Sequence, residues 1–101
     1  MRVVWSDRAS GAHTRIYQFI AQQDPLAGMR VGRRIAEAAA SLGQQLTGRP
    51  GRYKRSYEKS LSDINYILLY RLAKRGGEDV VLIIDIVHSR RDWQHGQMPP
   101  T

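Results

Sequence analysis

The stretch of sequence that decides the fold is residues 79–88, Asp-Val-Val-Leu-Ile-Ile-Asp-Ile-Val-His. A run so rich in β-branched residues predicts a β-strand. Alternation places Val81, Ile83, Asp85 and Val87 on one face and Val80, Leu82, Ile84, Ile86 and His88 on the other. Because both faces are mostly apolar, we expect a central strand that is covered on both sides of its sheet.

The residues before this strand predict two more strands. Residues 74–78, Lys-Arg-Gly-Gly-Glu, indicate a hairpin turn, because the two glycines adopt a positive φ without strain. Residues 64–72 alternate at period two and predict the partner strand of this hairpin. Residues 53–58 are extended by composition, and residues 47–51, Thr-Gly-Arg-Pro-Gly, predict a loop ahead of them.

The first half of the chain predicts one strand and two helices. Residues 2–5, Arg-Val-Val-Trp, predict a short strand, and the pair Ser6 and Asp7 that follows predicts the cap of the first helix. Asp24 and Pro25 end this helix and open the second, with Asp24 as N-cap and Pro25 at the first helical position. Apolar stripes at helical spacing are Ala9, Ala12, Ile16, Phe19 and Ile20 in the first helix, and Val31, Ile35, Ala38, Ala39, Leu42 and Leu46 in the second.

The element order predicts an α+β fold, β-α-α-β-β-β, in which a helical hairpin packs on a twisted, mainly antiparallel sheet. A chain of 101 residues is long enough for one hydrophobic core but not for two. We expect a single domain over residues 1–93 and a flexible polar tail over residues 94–101.

Composition excludes several classes of protein. The chain has no cysteine, so it holds neither a disulfide framework nor a thiolate zinc site. Its longest aliphatic run, residues 80–84, is far shorter than the roughly 20 apolar residues of a membrane span. His13 and His95 have no carboxylate at metal-ligand spacing, and no nucleotide-binding glycine motif occurs. We expect a cytoplasmic protein with no membrane partner, no metal and no cofactor.

The charge indicates a polyanionic partner. Lys and Arg number 16 against 9 Asp and Glu, which gives a formal net charge of +7. Such a field attracts nucleic acid or an acidic protein, and the planar guanidinium of arginine suits phosphate and carboxylate groups. A basic surface that only keeps the protein soluble is the plainer alternative.

The end of the last strand holds the densest group of candidate functional residues, His-Ser-Arg-Arg-Asp-Trp at residues 88–93. His88 could transfer protons beside a phosphate whose developing charge Arg90 and Arg91 stabilise. A solvated strand end is the alternative. Trp93 either caps the sheet or contacts a partner.

A second candidate is the basic and aromatic run at residues 52–57, which includes Arg52, Lys54 and Arg55. As a strand it would either hold a phosphate backbone and stack bases or protect a sheet edge with its charges. Arg71 adds a further cation in the next predicted strand.

Five short motifs follow one another along residues 3–93: Trp5-Ser6, Ile-Ala-Gln-Gln-Asp-Pro at residues 20–25, Gly51-Arg52, Leu69-Tyr70-Arg71, and the run at residues 88–93. In this order and spacing they resemble the RelE/ParE superfamily of bacterial toxins. The resemblance implies a type II toxin that arrests growth when its labile antitoxin is lost.

The branch of the superfamily sets the target. The ending His-x-Arg-Arg-x-Trp resembles ParE-like members, which poison DNA gyrase and are not nucleases, and Ile67 stands where nuclease members often carry arginine. This interpretation has no catalytic residues and assigns target binding to Arg52, Lys54, Arg55, Arg71, His88, Arg90, Arg91 and Trp93. The alternative is a RelE-like endonuclease that cuts mRNA in the ribosome, with catalytic residues His88, Arg71 and Arg90. A third hypothesis is a non-toxic module that binds nucleic acid.

The resemblance also implies a cognate antitoxin. A basic toxin with an apolar helical hairpin would be neutralised by an acidic antitoxin whose amphipathic segment folds onto it. We expect aliphatic side chains of that segment to pack on the hairpin, and its carboxylates to pair with Arg30, Arg33 and Arg34.

Overall fold

The computed structural model describes residues 1–90, which form two helices packed on a five-stranded sheet. The predicted α+β fold is confirmed. The predictions for Arg91, Trp93 and residues 94–101 lie outside the described residues. In chain order the elements are β1 (Arg2–Trp5), α1 (Asp7–Ala21), α2 (Pro25–Ser41), β2 (Arg49–Pro50), β3 (Tyr57–Leu61), β4 (Tyr66–Arg75) and β5 (Glu78–His88).

The sheet has the strand order β1-β5-β4-β3-β2. β1 runs parallel to β5, and the other neighbouring strands are antiparallel. This order follows from the chain path, since the helical hairpin carries the chain from β1, past β5 and β4, to β2 and β3 at the far edge.

Both helices begin at the predicted caps. Ser6 Oγ accepts a hydrogen bond from the backbone N–H of Ala9 (3.0 Å), and Asp24 Oδ1 accepts one from the N–H of Ala27 (3.1 Å). Pro25 opens α2 as expected, because its missing N–H costs nothing in the first turn.

The core lies between the helices and the sheet. Three residues of the predicted stripes, Phe19, Ile20 and Leu46, are neither in this core nor packed against it. Phe19 is 57% exposed, and Leu46 is exposed because α2 ends before it. The buried core residues are Ala9, Ala12, Ile35, Ala38, Ala39, Leu42, Leu61, Leu68, Tyr70, Val81, Ile83 and Ile86.

β5 is an interior strand of the sheet, with β1 on one side and β4 on the other, and the middle position of the five belongs to β4. Val81 and Ile83 belong to the core beneath the helices. Val80 and Leu82 are also buried, although alternation directs them to the opposite side of the sheet, which we call the outer face.

A β-bulge interrupts the alternation of β5. Leu69 pairs with Asp85 but the next residue, Tyr70, pairs with Ile83, so Ile84 is an extra residue without a partner on β4. Since directly paired residues share a face, the bulge exchanges the two faces of the strand beyond it. The predicted faces were therefore wrong there: Ile86 and His88 lie on the helix side, and Asp85 and Val87 lie on the outer face.

The hairpin between β4 and β5 is confirmed. Gly76 and Gly77 have φ values of 57° and 82°, and Arg75 pairs with Glu78 across this two-residue turn. β4 begins at Tyr66 rather than at residue 64, and it continues to the turn.

The segment between α2 and β4 differs most from the prediction. Residues 53–58 are not one extended strand, because residues 52–55 turn and β3 begins after them. The predicted loop at residues 47–51 contains the two-residue strand β2. Local hydrogen bonds of Ser56, described below, form this turn and override the extended preference of the composition.

Candidate functional site

The basic and aromatic run forms a tight turn at residues 51–56, which we call the basic turn. The Gly51 N–H donates to the Ser56 carbonyl (2.8 Å), and the Ser56 N–H donates to the Tyr53 carbonyl (3.1 Å). The buried Ser56 hydroxyl donates to the same Tyr53 carbonyl (2.7 Å) and accepts from the Tyr53 N–H (3.1 Å). Arg55 adopts a left-handed φ of 61°. These bonds hold the turn in one shape.

A buried ion pair ties the basic turn to the outer face of the sheet. Glu58 pairs with Leu69 across the strands and its side chain is only 8% exposed. Its Oε2 accepts hydrogen bonds from Arg52 Nε (2.7 Å) and from the Arg52 backbone N–H (2.9 Å).

The Glu58 carboxylate is ionised. Burial raises its pKa, but the side-chain and backbone hydrogen bonds from Arg52, with the charges of Arg52 and Arg49, lower the pKa by more. The net effect is a pKa below the ordinary value for glutamate. Arg52, a predicted target-binding residue, is thus held in place by a charged partner.

Arginines border the outer face. Its middle is apolar, with buried Leu69, Val80 and Leu82. Arg8 Nε also binds Asp85 Oδ2 (3.0 Å) at this face, next to the bulge. The bordering residues, located by strand register or by these ion pairs, are Arg2, Arg8, Arg49, Arg52 and Arg71.

His88 lies at the other end of the β4–β5 ladder, on the helix side. Its ring meets that of Tyr66 edge to face, with centroids 5.1 Å apart. Its Nδ1 accepts a hydrogen bond from the Arg90 backbone N–H (3.1 Å). The neutral ring therefore carries its proton on Nε2.

The three residues of the nuclease alternative do not meet. Arg71 pairs with Leu82 on the outer face, whereas His88 pairs with Tyr66 on the helix side. The five-residue step from Tyr66 to Arg71 along β4 spans about 17 Å. Of these three residues, only His88 and Arg90 are in contact, through the hydrogen bond from the Arg90 backbone N–H to His88 Nδ1.

The predicted antitoxin-binding arginines lie on α2 but differ in their surroundings. Arg34 forms an ion pair with Asp63 (Nε to Oδ2, 2.8 Å), and the hydrogen bond from Arg34 lowers the pKa of that carboxyl. Arg30 and Arg33 are exposed and make no ion pair within the described part of the chain.

Two apolar residues beside these arginines were missed from the sequence. Leu26 is 71% exposed and Met29 is 49% exposed. With Arg30 and Arg33 they follow the spacing i, i+3, i+4, i+7, which places all four on one helix face. The spacing is present in the sequence, on the side of α2 opposite the stripe of core residues. We call this set the α2 face.

No helix within residues 1–90 is long and apolar enough to cross a membrane. The same residues contain no group of three His, Asp or Glu side chains placed to hold a metal ion.

Solved structures with this fold come from two bacterial toxin systems. One, described as the chromosomal ParDE TA system from P. aeruginosa, superimposes with a TM-score of 0.76 at 19% identity, covering 87% of this chain and 95% of that one. The other, described as a YoeB/ParE toxin from Agrobacterium tumefaciens, gives a TM-score of 0.58 at 14% identity and covers 87% and 98% of the two chains. At these identities the two structures show the shared fold alone.

Sequence similarity reaches further. A protein of Sinorhizobium fredii (strain NBRC 101917 / NGR234), named "Putative toxin Y4kP", is 36% identical over 93 residues, which is 91% of this chain and 92% of that protein. The family model described as "ParE toxin of type II toxin-antitoxin system, parDE" matches residues 3–93. This chain therefore belongs to the ParE toxin family of type II toxin-antitoxin systems.

Proposed function

We propose that this protein arrests growth by inhibiting DNA gyrase, and that the outer face with the basic turn binds the target. The match of the ParE toxin family model to residues 3–93 carries the proposal, because gyrase is the target that this branch of the superfamily implies. The charge supports it, since a chain of net charge +7 is drawn to an enzyme that holds DNA.

The basic turn is suited to binding a large partner. Lys54 and Arg55 are exposed on a turn whose backbone is already fixed by Ser56. A rigid surface loses little conformational entropy when it binds, so less of the favourable free energy of its contacts is offset. Arg71 adds an exposed cation on the neighbouring outer face.

The nuclease alternative receives less support. Acid–base cleavage of RNA needs its groups within hydrogen-bonding reach of one phosphodiester. Arg71 and His88 lie on opposite faces of the sheet and about 17 Å apart along the strand.

The test compares charge reversals on the two sides of the molecule. Lys54→Glu, Arg55→Glu and Arg71→Glu are combined in one variant, and Arg15→Glu on α1 is the control for a charge reversal away from this surface. Wild-type protein should inhibit supercoiling by purified gyrase and arrest growth, and the combined variant should do neither while melting at the wild-type temperature. Full supercoiling at a large excess of wild-type protein would overturn the gyrase proposal.

His88→Ala separates gyrase inhibition from mRNA cleavage. Under the gyrase proposal, primer extension on translated mRNA shows no new cuts when the toxin is expressed. Cuts positioned by codon that disappear in His88→Ala would favour the endonuclease instead.

The α2 face is the proposed antitoxin site. Leu26 and Met29 offer apolar contact area, and Arg30 and Arg33 flank it with positive charge. An amphipathic acidic helix would bury aliphatic side chains on the first pair and place carboxylates beside the second. Arg34 would exchange its ion pair with Asp63 in order to contact such a helix.

A further inference from the structure

The β4–β5 hairpin extends beyond its neighbour β3. β3 pairs with β4 only from Tyr57 opposite Tyr70, whereas β4 continues to Arg75. Among residues 1–90, nothing pairs with the backbone of residues 71–75 on the side away from β5. We call this side of residues 71–75 the open edge.

The hairpin turn determines which backbone groups point to the open edge. In a two-residue hairpin the closing pair, here Arg75 and Glu78, exchanges both of its N–H···O bonds. Bonded pairs alternate with non-bonded pairs along the ladder, so Ala73 also bonds to β5. Leu72 and Lys74 therefore direct both their N–H and C=O groups away from β5, to the open edge.

The side chains of this segment are basic and partly apolar. Leu72 is 46% exposed, which is unusual for a leucine on the face that the helices cover. Arg71, Lys74 and Arg75 are exposed cations, and residues 71–75 include no carboxylate. Lys74 Nζ lies 2.9 Å from Asp79 Oδ1, but both side chains are largely exposed, so this pair is weak and easily exchanged.

We propose that the open edge binds an extended acidic peptide segment of a partner protein as an added strand. The N–H and C=O groups of Leu72 and Lys74 would supply the ladder hydrogen bonds, as in other cases of strand addition. Residues 71–75 span about 14 Å, enough for a strand of about four residues.

The charges select this partner over a second copy of the same chain. In an antiparallel pair of two open edges aligned over residues 71–75, Arg71 of each copy would face Arg75 of the other, and like charges across a ladder are destabilising. Glutamate or aspartate in the added strand would face these cations instead. This proposal does not depend on the α2 face or on gyrase.

Amide hydrogen exchange provides the test. The probe is a short peptide of alternating Glu and Val with blocked ends, and its control has Lys in place of Glu. Binding of the Glu peptide should slow exchange at the Leu72 and Lys74 amides about tenfold, while the Ala73 amide, already bonded to β5, changes little. The Lys peptide should leave the exchange rates of all three amides unchanged.

Two variants of Lys74 separate the backbone from the charge. Lys74→Pro removes the N–H at the open edge, a position that proline tolerates on edge strands, and Lys74→Gln keeps the N–H but removes the charge. Lys74→Pro should abolish binding, and Lys74→Gln should weaken it only a few-fold. If the Lys74→Pro variant unfolds, the amide exchange of the wild-type protein still shows whether the Glu peptide binds at the open edge. The proposal would be overturned if both peptides bound equally well. It would also be overturned if the Glu peptide slowed exchange at amides of α2 instead, or if single-stranded DNA slowed exchange at the Leu72 and Lys74 amides.

Discussion

Glu58 and Ser56 are the buried polar residues within the described chain, and both serve the basic turn. Burying a carboxylate costs free energy unless charged partners and hydrogen bonds compensate. Arg52 supplies both for Glu58, and Ser56 satisfies its own hydroxyl within the turn. The protein thus places its two buried polar side chains where they fix the surface that we propose to bind the target.

The Arg52–Glu58 pair should make stability depend on pH. The pKa of Glu58 is lowered by folding, so its contribution is complete above the ordinary glutamate pKa and is lost as pH falls through the folded value. Glu58→Gln should cost about 1–2 kcal/mol at neutral pH, because Gln cannot carry the charge that Arg52 pairs with.

Urea unfolding of wild type and Glu58→Gln between roughly pH 7 and pH 3 measures this effect. The two free energies of unfolding should converge as the pH falls. Asp63→Asn serves as the control, because its exposed pair with Arg34 should change the neutral stability much less. Parallel curves for wild type and Glu58→Gln would show that the pair contributes no pH-dependent stability.

At the scale of elements, the two helices owe their close contact to glycine. A Cβ at Gly28 would lie 2.8 Å from Ala21 Cβ and 2.9 Å from the Ala21 backbone N, closer than real side chains approach. At Gly32, by contrast, a Cβ would meet Tyr17 and His13 at 3.8 Å, an ordinary contact distance. His13 Nε2 also donates to the Gly32 carbonyl (2.8 Å) across the same interface.

Alanine at these two glycines should have opposite effects. Gly28→Ala should destabilise the protein by about 1–3 kcal/mol, because the helices must move apart. Gly32→Ala should be neutral or stabilise by up to about 1 kcal/mol, since alanine favours the helix and its methyl group fits. Denaturant unfolding of the two variants measures both effects, and destabilisation of equal size would contradict the steric assignment.

The helices could be predicted from sequence because the signals are local. Ser6, Asp24 and Pro25 define where each helix begins, and Gly76 and Gly77 define the hairpin turn, whatever lies around them. The start of an element with such signals can therefore be predicted without knowing which residues it packs against.

Other elements depended on contacts between distant residues. The bulge at Ile84 exists only in relation to β4, so a single strand read alone shows unbroken alternation and places His88 on the wrong face. The basic turn places a non-glycine residue, Arg55, in the left-handed region, and the bonds of Ser56 maintain that conformation. The division of the candidate residues between the two faces of the sheet could therefore not be predicted from the sequence.

At the scale of the whole molecule, the proposed partners approach from opposite sides. The α2 face belongs to the helical layer, whereas Arg71 and the Arg52–Glu58 pair belong to the outer face. An antitoxin segment confined to α2 would leave the proposed target surface uncovered. Neutralisation then requires that the antitoxin extend around the sheet or that its bulk prevent access to gyrase.

Charge reversal on each side should show whether the charges of the α2 face or the net charge of the molecule determines the rate of antitoxin association. Arg30→Glu with Arg33→Glu places acidic groups at the rim of the α2 face, and rim charges act mainly through the association rate. We expect an association rate constant about tenfold lower at low salt, a dissociation rate constant nearly unchanged, and convergence with wild type at high salt. Arg71→Glu with Arg49→Glu makes the same change in net charge on the outer face, away from α2. Stopped-flow or surface-based kinetics at several ionic strengths measure both variants. If the outer-face variant slows association as much as the α2 variant, the overall charge of the molecule, and not the α2 face, steers the antitoxin.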